Sequence, residues 1–307
     1  MEKKILNLFN KYQNWEEKFD KGYFNDKCIT LVTHAGNFHS DDIMSTAILE
    51  YLFNFIDVPT KVIRTNKPKE AGFTDETEDC IVYDIGLGQY DHHQIGEAAA
   101  HCIRKDEDQD RKYAAVGLIW KEVGELIVGK YADQLYNEII KYIDDHDNGF
   151  GPNPLSMLIK YNNPAHIDAS MEVFDFRFET VVKHVRCMME RVFNHYQLIL
   201  SYESVVRKIA VENAPYLVTE SFYPGATDVC RELNIPFYIY PSQRGGWAFQ
   251  TINKSIGTQS EHLMDIPDEV RTWEGVTFLH ASRFLGSAVT KERAIEVIEQ
   301  IHAMNEK

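Results

Sequence analysis

The chain has 307 residues, 44% hydrophobic and 26% charged, which is typical of a globular protein with a buried core. Its formal net charge of −15 disfavours a long, non-specific contact with duplex DNA, which requires an accumulated basic surface. The five cysteines are widely spaced and form no C-x-x-C pair, which predicts free thiols in a reducing, cytoplasmic compartment. No apolar run approaches the length of a membrane span, and the N-terminus lacks the pattern of a signal peptide.

The first half of the chain alternates between predicted helices and strands. An amphipathic helix opens a predicted N-terminal extension over residues 1–26. A strand is predicted at 28–33, followed by a helix at 40–53 in which apolar residues recur at helical spacing. Further strands are predicted at 60–64 and 81–84. This alternation predicts an α/β fold, with a parallel sheet covered by helices on both faces.

From residue 104 onwards, the sequence pattern predicts helices and then a smaller domain. Residues 104–112 are rich in charge and predict a solvated loop, with helices at 114–128 and 131–143 after it. A helical pattern without proline over 171–211 suits a connector between domains. Mixed strand and helix patterns follow it and predict an α+β domain. The predicted division is a metal-binding catalytic domain over 27–170, the helical connector over 171–211 and a substrate-binding domain over 212–307.

A first cluster of metal-competent side chains follows the first strand. It comprises His34, His39, Asp41 and Asp42 within the segment HAGNFHSDD. Imidazole nitrogens beside carboxylates are ligands for Mn²⁺, Fe²⁺ or Zn²⁺ in preference to Ca²⁺. Each residue taken alone is more often a polar loop residue or a helix cap. The repetition of such clusters along the chain favours a metal site instead.

A second cluster joins Asp84, at the end of a strand, to the sequence Asp91-His92-His93. Because Asp84 ends a strand, it can reach the same crevice as the first cluster and bridge two metals. Successive side chains in a strand point to opposite faces, so one histidine is expected to bind metal and the other to face the substrate. An exposed turn is the alternative for this pair.

A third cluster follows the predicted helix at 131–143 and contains Asp144 and Asp147. Asp144 is favoured as the metal ligand, because Asp147-Asn148-Gly149 is also typical of a turn. Two metals roughly 3.5–4 Å apart would clamp a phosphoryl group and activate water at neutral pH, as in phosphatases and nucleases.

The order of these residues resembles the DHH phosphoesterase superfamily, which is named for its Asp-His-His motif. The signature His-x-Gly-x-Phe-His-x-Asp-Asp at 34–42 and Tyr-Asp-His-His-Gln at 90–94 are similar to the branch named after the melanocyte proliferating gene. So is the segment at 143–149. The resemblance begins near residue 30 and extends through 247–250 and 279–286.

The resemblance implies a metal-dependent phosphodiesterase of two domains, an exonuclease or oligoribonuclease acting on short RNA or single-stranded nucleic acid. It implies two divalent ions, with Mn²⁺ favoured over Mg²⁺, Fe²⁺ or Zn²⁺. One ion would be held by His34, His39 and Asp84. The other would be held by Asp41, Asp84, His92 and Asp144. His93 would face the phosphate and form, with Asp84 and Asp42, the catalytic group.

The same resemblance points to a substrate-binding surface in the C-terminal third. Its candidates are Arg244, Gly245, Gly246, His280, Ser282 and Arg283. Arginine offers a two-pronged contact for phosphate, and glycine lets backbone amides approach closely. A hairpin turn at 243–246 is the structural alternative, and both roles can coincide.

Two alternative functions stay open at this point. The substrate can be a small phosphorylated molecule such as pyrophosphate or a cyclic dinucleotide, or the chain can be a regulatory protein that binds metal without turnover. The oligomeric state also stays open, because nothing in the sequence fixes it, and a dimer is possible.

Overall fold

A computed structural model describes residues 3–13, 28–106, 108–165, 169–256 and 261–305. The chain divides into two compact units, residues 1–194 and 195–307. Of the predicted N-terminal extension, residues 1–2 and 14–26 lie outside the described residues. Within the described ranges, no helix combines the length and the apolar character needed to cross a membrane.

The first unit is built on a three-stranded parallel sheet. Its strands are β1 (Ile29–Thr33), β2 (Thr60–Arg64) and β3 (Cys80–Val82), in the order β2-β1-β3. Helix α2 (Ser40–Asn54) packs on β1 and β2 and is buried along most of its length. The predicted α/β fold with a parallel sheet is confirmed. Because the strands are parallel, the carboxyl ends of β1 and β3 meet at one edge.

The other α-helices of the first unit pack on α2 or on one another. They are α1 (Lys4–Gln13), α3 (Ala115–Val128), α4 (Ala132–Leu135), α5 (Lys141–Asp147) and α6 (Pro154–Lys160), and α7 (Met171–Asn213) begins here. A π-helical segment, Tyr136–Ile140, joins α4 to α5. The helical prediction for 131–143 therefore corresponds to three consecutive segments.

The predicted solvated loop at 104–112 is wrong. Strands β4 (Ile103–Lys105) and β5 (Asp110–Lys112) pair there as an antiparallel hairpin. The side chain of Arg104 is only 4% exposed, and it donates to both carboxylate oxygens of Asp106 at 2.8 Å. The charges of this segment pair with one another and with Asp145, so a charge-rich sequence is compatible with burial.

The second unit contains a five-stranded sheet with helices on both faces. Its strands are β6 (Leu217–Val218), β7 (Phe237–Pro241), β8 (Trp247–Thr251), β9 (Val276–Leu279) and β10 (Leu285–Ala288), in the order β6-β7-β8-β10-β9. Only β6 and β7 are parallel. Helix α9 (Lys291–Asn305) covers one face, while α8 (Ala226–Glu232) and the end of α7 cover the other. The predicted smaller α+β unit is confirmed.

Helix α7 is anchored to the first unit by Phe193. This ring is fully buried and lies 4.8 Å from the ring of Tyr51 and 5.8 Å from that of Trp120, measured between centroids. Stacking of this kind adds to the free energy gained by burying the aromatic surface. The contact fixes the helix against α2 and α3.

We expect the substitution Phe193→Ala to lower the free energy of unfolding by about 3–5 kcal/mol, because it leaves a cavity between α2, α3 and α7. Urea unfolding followed by circular dichroism measures the loss. The control is Phe176→Ala on the same helix, where the side chain is 67% exposed and a change below about 0.5 kcal/mol is expected. Equal losses in the two variants would contradict this packing.

Candidate metal centre

The loop that follows β1 is held in place by side chains from outside it. Gly36 adopts a left-handed conformation, with φ of 87°, which lets the chain turn directly after His34. Asn66 accepts the backbone N–H of Ala35 at 3.0 Å, and Arg64 donates to the carbonyl oxygen of Gly36 at 2.8 Å. These contacts fix the direction in which His34 leaves the sheet.

The end of the same loop is fixed by Asn163. Its side-chain amide accepts the backbone N–H of Phe38 at 2.9 Å and donates to the Phe38 carbonyl at 2.8 Å. Helix α2 then begins, and Asp42 accepts the backbone N–H of His39 at 2.8 Å. His39 is exposed, and its ring centroid lies 5.6 Å from that of His34. The two predicted histidine ligands therefore lie side by side.

Asp84 lies between the first two clusters. One carboxylate oxygen, Oδ2, is 3.3 Å from Nε2 of His34, which is also 3.2 Å from Oδ2 of Asp42. The other oxygen, Oδ1, is 3.7 Å from Nδ1 of His92 and 3.8 Å from Nδ1 of His93. Asp84 has a φ of 55°, a left-handed conformation that aspartate tolerates better than most residues. Its two oxygens thus face two separate sets of ligand atoms.

The adjacent histidines have different environments. The His92 side chain is 8% exposed, whereas that of His93 is 59% exposed. Asp91 accepts the backbone N–H of His93 at 3.0 Å and lies 2.7 Å from its Nδ1. This contact raises the pKa of His93, although burial opposes the shift. Asp91 therefore orients the exposed ring, while His92 faces the protein interior.

His92 is surrounded by carboxylates on both ring nitrogens. Its Nδ1 is 3.8 Å from Oδ2 of Asp41, and its Nε2 is 3.1 Å from Oδ2 of Asp147. Two overlapping groups have ligand atoms close enough to share an ion. They are Asp84, Asp91, His92 and His93, and Asp41, His92 and Asp147. His92 is common to both groups.

Asp144, the ligand favoured by the sequence, has its carboxylate engaged elsewhere. Its partners are the backbone N–H groups of Ala114 at 3.0 Å and Gly117 at 3.1 Å, the Tyr136 hydroxyl at 2.8 Å and the Arg104 guanidinium at 3.5 Å. It is Asp147, near the end of α5, whose carboxylate lies beside His92. Asp144 and Asp147 lie on the same face of α5 but almost one turn apart. Asp144 therefore contacts the start of α3, whereas Asp147 contacts His92.

Asp41 and Asp144 together cap the N-terminus of α3. Asp41 accepts the backbone N–H groups of Ala115 at 2.9 Å and Val116 at 2.6 Å, adding to the two bound by Asp144. Residue Ala114 occupies the N-cap position and offers no side-chain acceptor. Two carboxylates from other helices replace that cap, where the helix dipole favours negative charge.

The centre carries more buried negative charge than its own groups balance. Burial raises the pKa of Asp41 well above its usual range, and burial reinforced by Asp84 raises the pKa of Asp42 to about 7. Burial would lower the pKa of His34, but the Asp84 and Asp42 carboxylates raise it to about 9. Among the described residues, Oδ2 of Asp42, Oδ1 of Asp84 and Nδ1 of His92 are buried without a hydrogen-bond partner. Bound cations would satisfy these atoms, so the donor set fits a metal centre.

The predicted substrate residues lie in two turns of the second unit. Arg244, Gly245 and Gly246 form the hairpin turn between β7 and β8, as the structural alternative expected. His280, Ser282 and Arg283 form the turn between β9 and β10. Arg244, Gly245 and His280 line one cavity of about 650 Å³. Arg283 has a φ of 56°, which normally favours glycine.

Sequence reasoning missed the residues that hold the loop, namely Arg64, Asn66 and Asn163. Arg64 and Asn66 stand at the end of a strand adjacent to β1, which is the usual location of site residues in a parallel sheet. Their position at a strand end could have identified them as site residues. Asn163 is distant in sequence and carries no comparable signal.

Fold and site together define an α/β protein of two units with a buried aspartate–histidine centre at the carboxyl edge of a parallel sheet. The chain belongs to the family whose model is named MYG1_exonuc and described as "Uncharacterised protein family (UPF0160)", which matches residues 30–301. The branch identified from the motifs is confirmed.

Named relatives agree with this assignment. The "MYG1 protein" of Dictyostelium discoideum is 23% identical, over 87% of this chain and 94% of the relative. The "MYG1 exonuclease" of Homo sapiens is 24% identical, over 86% of this chain and 83% of the relative. The solved structure of exonuclease RecJ bound to manganese aligns over 99% of this chain and 94% of its own, with 14% identity and a TM-score of 0.29.

Asp147→Asn and Asp144→Asn should affect different properties, the first metal binding and the second stability. We expect Asp147→Asn to weaken Mn²⁺ binding by more than about tenfold with little loss of stability, because this carboxylate faces His92. Asp144→Asn should instead lower the free energy of unfolding by about 3 kcal/mol, because it breaks the pairing with Arg104. Titration calorimetry and urea unfolding separate the two effects. Weaker metal binding in folded Asp144→Asn alone would contradict this assignment.

Gly117→Ala tests the close approach of Asp144 to α3. A Cβ atom at this position would overlap the Asp144 carboxylate. Alanine normally favours a helix by about 1 kcal/mol, but this overlap should reverse the sign and cost about 1–3 kcal/mol. Urea unfolding measures the change, with the exposed Glu125→Ala on the same helix as control. Stabilisation by Gly117→Ala would show that the carboxylate moves away freely.

Proposed function

We propose that this chain is a metal-dependent phosphodiesterase, an exonuclease or oligoribonuclease that removes nucleotides from short single-stranded nucleic acid, with RNA preferred. The observation that carries the proposal is the position of Asp84, whose two oxygens face two sets of ligand atoms. A carboxylate placed in this way could hold two ions roughly 3.5–4 Å apart, the separation found in two-metal phosphoryl chemistry.

The two proposed ion positions share Asp84 and otherwise use different residues. The first ion would be held by His34, Asp42 and Asp84, with His39 beside them. The second would be held by Asp41, Asp84, His92 and Asp147, with Asp147 in place of Asp144. Mixed imidazole and carboxylate ligands suit Mn²⁺, with Mg²⁺, Fe²⁺ or Zn²⁺ as alternatives. When bound, two such ions polarise the phosphodiester and activate the attacking water.

The remaining residues of the centre position the substrate and the ligands. His93 is half-exposed and oriented by Asp91, so its ring is available to a phosphate oxygen. Asp91 also accepts the backbone N–H of Leu87 at 2.7 Å, which braces the turn that carries both histidines. His93 therefore binds phosphate while His92 binds metal.

Relatives and charge support the choice of substrate. Several relatives are named exonucleases, which suggests a nucleic-acid phosphodiester for this chain as well. The net charge of −15 favours a short strand that needs few phosphate contacts. We assign the metal centre to residues 27–170 and substrate binding to 212–307, joined by the helix at 171–211. A cytoplasmic location and a dimeric state stay predictions.

A substrate panel tests the proposal directly. The purified chain with Mn²⁺ is expected to shorten labelled oligoribonucleotides one nucleotide at a time, and EDTA should abolish the reaction. Oligodeoxyribonucleotides, pyrophosphate and cyclic dinucleotides complete the panel. Turnover restricted to pyrophosphate or cyclic dinucleotides would replace the nuclease proposal with a small-molecule hydrolase. Stoichiometric metal binding without any turnover would instead indicate a regulatory metal-binding protein.

Asp84→Asn tests the bridging role. Asparagine tolerates the left-handed backbone at this position, so the fold should be retained while activity falls by at least about 10³-fold. The matched control is Asp57→Asn, an exposed aspartate with the same φ of 55°. Single-turnover assays and Mn²⁺ titration measure the two consequences. Unchanged activity in Asp84→Asn would exclude a bridging role for this carboxylate.

A further inference from the structure

The second unit contains a cavity with exposed aromatic walls. Its volume is about 650 Å³, within the range of small-ligand pockets. Phe222, Tyr240 and Phe278 line it, together with Arg244 and His280. Phe222 is 54% exposed and Phe278 is 45% exposed. Exposed apolar surface in a concave site is typical of a binding surface.

The aromatic walls are held in position by their neighbours. The Phe222 ring meets the Tyr240 ring edge-on, with centroids 5.1 Å apart and planes inclined at 64°. The Phe278 ring stands edge-on to His280, with centroids 6.4 Å apart. These contacts hold both phenylalanine rings beside the cavity while about half of each side chain stays exposed. The walls therefore offer preorganised stacking surfaces.

The polar groups of the cavity suit an anion. None of the described residues that line it is acidic, although the chain has 47 acidic residues and only 32 lysines and arginines. Arg244 supplies a positive charge at the hairpin turn. Nδ1 of His280 accepts the backbone N–H of Ser282 at 3.1 Å, so the neutral ring carries its proton on Nε2. The cavity thus offers a cation and an N–H donor beside aromatic rings.

We propose that this cavity binds one unstacked nucleotide of a single strand, with the base on Phe222 or Phe278 and a phosphate on Arg244. The proposal rests on the proposed function and assigns the residues that would hold a base and a phosphate of its single-stranded substrate. Bases within a duplex are already stacked and cannot reach such rings, whereas every single-stranded base has a free face. Stacking on phenylalanine favours any base and does not distinguish one base from another.

The test measures binding of a fluorescein-labelled penta-uridylate to the full chain by anisotropy, in EDTA so that no turnover occurs. The double variant Phe222→Ala/Phe278→Ala is expected to weaken binding by about 5–100-fold, from the usual strength of base–aromatic stacking. The control is Phe55→Ala/Phe176→Ala, which removes two exposed phenylalanines from the first unit. Unchanged affinity in the cavity variant would overturn the proposal.

A second pair of measurements separates stacking from other uses of the cavity. An abasic pentamer should bind the wild type as weakly as penta-uridylate binds the cavity variant, and Arg244→Ala should weaken both oligomers. Phe222→Leu/Phe278→Leu keeps the apolar volume but removes the aromatic faces, so it should also bind weakly. Full affinity in the leucine variant would show that the oligonucleotide binds without the aromatic faces and would overturn base stacking.

This test fails separately from that of the proposed function. Base-dependent binding through Phe222 and Phe278, without hydrolysis in Mn²⁺, would contradict the phosphodiesterase and leave the cavity assignment standing. Hydrolysis with an unchanged KM in the cavity variant would support the phosphodiesterase and contradict the cavity assignment. Weakened binding together with a raised KM and an unchanged kcat is the result that supports both.

Discussion

The N-terminus of α3 is the point on which the metal centre depends. Its first four backbone N–H groups, at residues 114–117, are bound by the carboxylates of Asp41 and Asp144. These groups have no partner within a helix, and the dipole there attracts negative charge. Asp41 comes from α2 and Asp144 from α5, so one interaction fixes three helices. It also fixes His39 and Asp42 at the start of α2 and Asp147 on α5.

The sheet supplies the other half of the centre. Parallel pairing brings the ends of β1 and β3 to one edge, which places His34 and Asp84 within 3.3 Å of each other. Asp84 leaves its strand in a left-handed conformation, a local cost that is characteristic of functional positions. Buried carboxylates without enough positive partners are costly unless a cation joins them. The fold therefore holds an excess of buried negative charge that a bound cation would balance.

The sequence predicted the parallel sheet, the long helix and the smaller second unit, because hydrophobic periodicity and strand-end motifs report on local structure. It favoured Asp144 over Asp147 as the metal ligand, although both belong to one short segment and their contacts depend on what α5 packs against. The hairpin at 103–112 was missed because its charges are neutralised by partners distant in sequence, such as Asp145. Asn163 was also missed, because its partner, the backbone of Phe38, is distant in sequence. The hairpin and the role of Asn163 both depend on contacts between distant residues, which a local sequence pattern does not show.

The central claim is that Asp84 is shared by two ions in one centre. Electron paramagnetic resonance of the chain loaded with Mn²⁺ tests it most directly, because ions roughly 3.5–4 Å apart and joined by a carboxylate are spin-coupled. We predict the signal of a coupled pair in the wild type at two equivalents of Mn²⁺. In Asp84→Asn we predict the signal of isolated Mn²⁺ alone. A spectrum of isolated ions at every Mn²⁺ concentration in the wild type would contradict it.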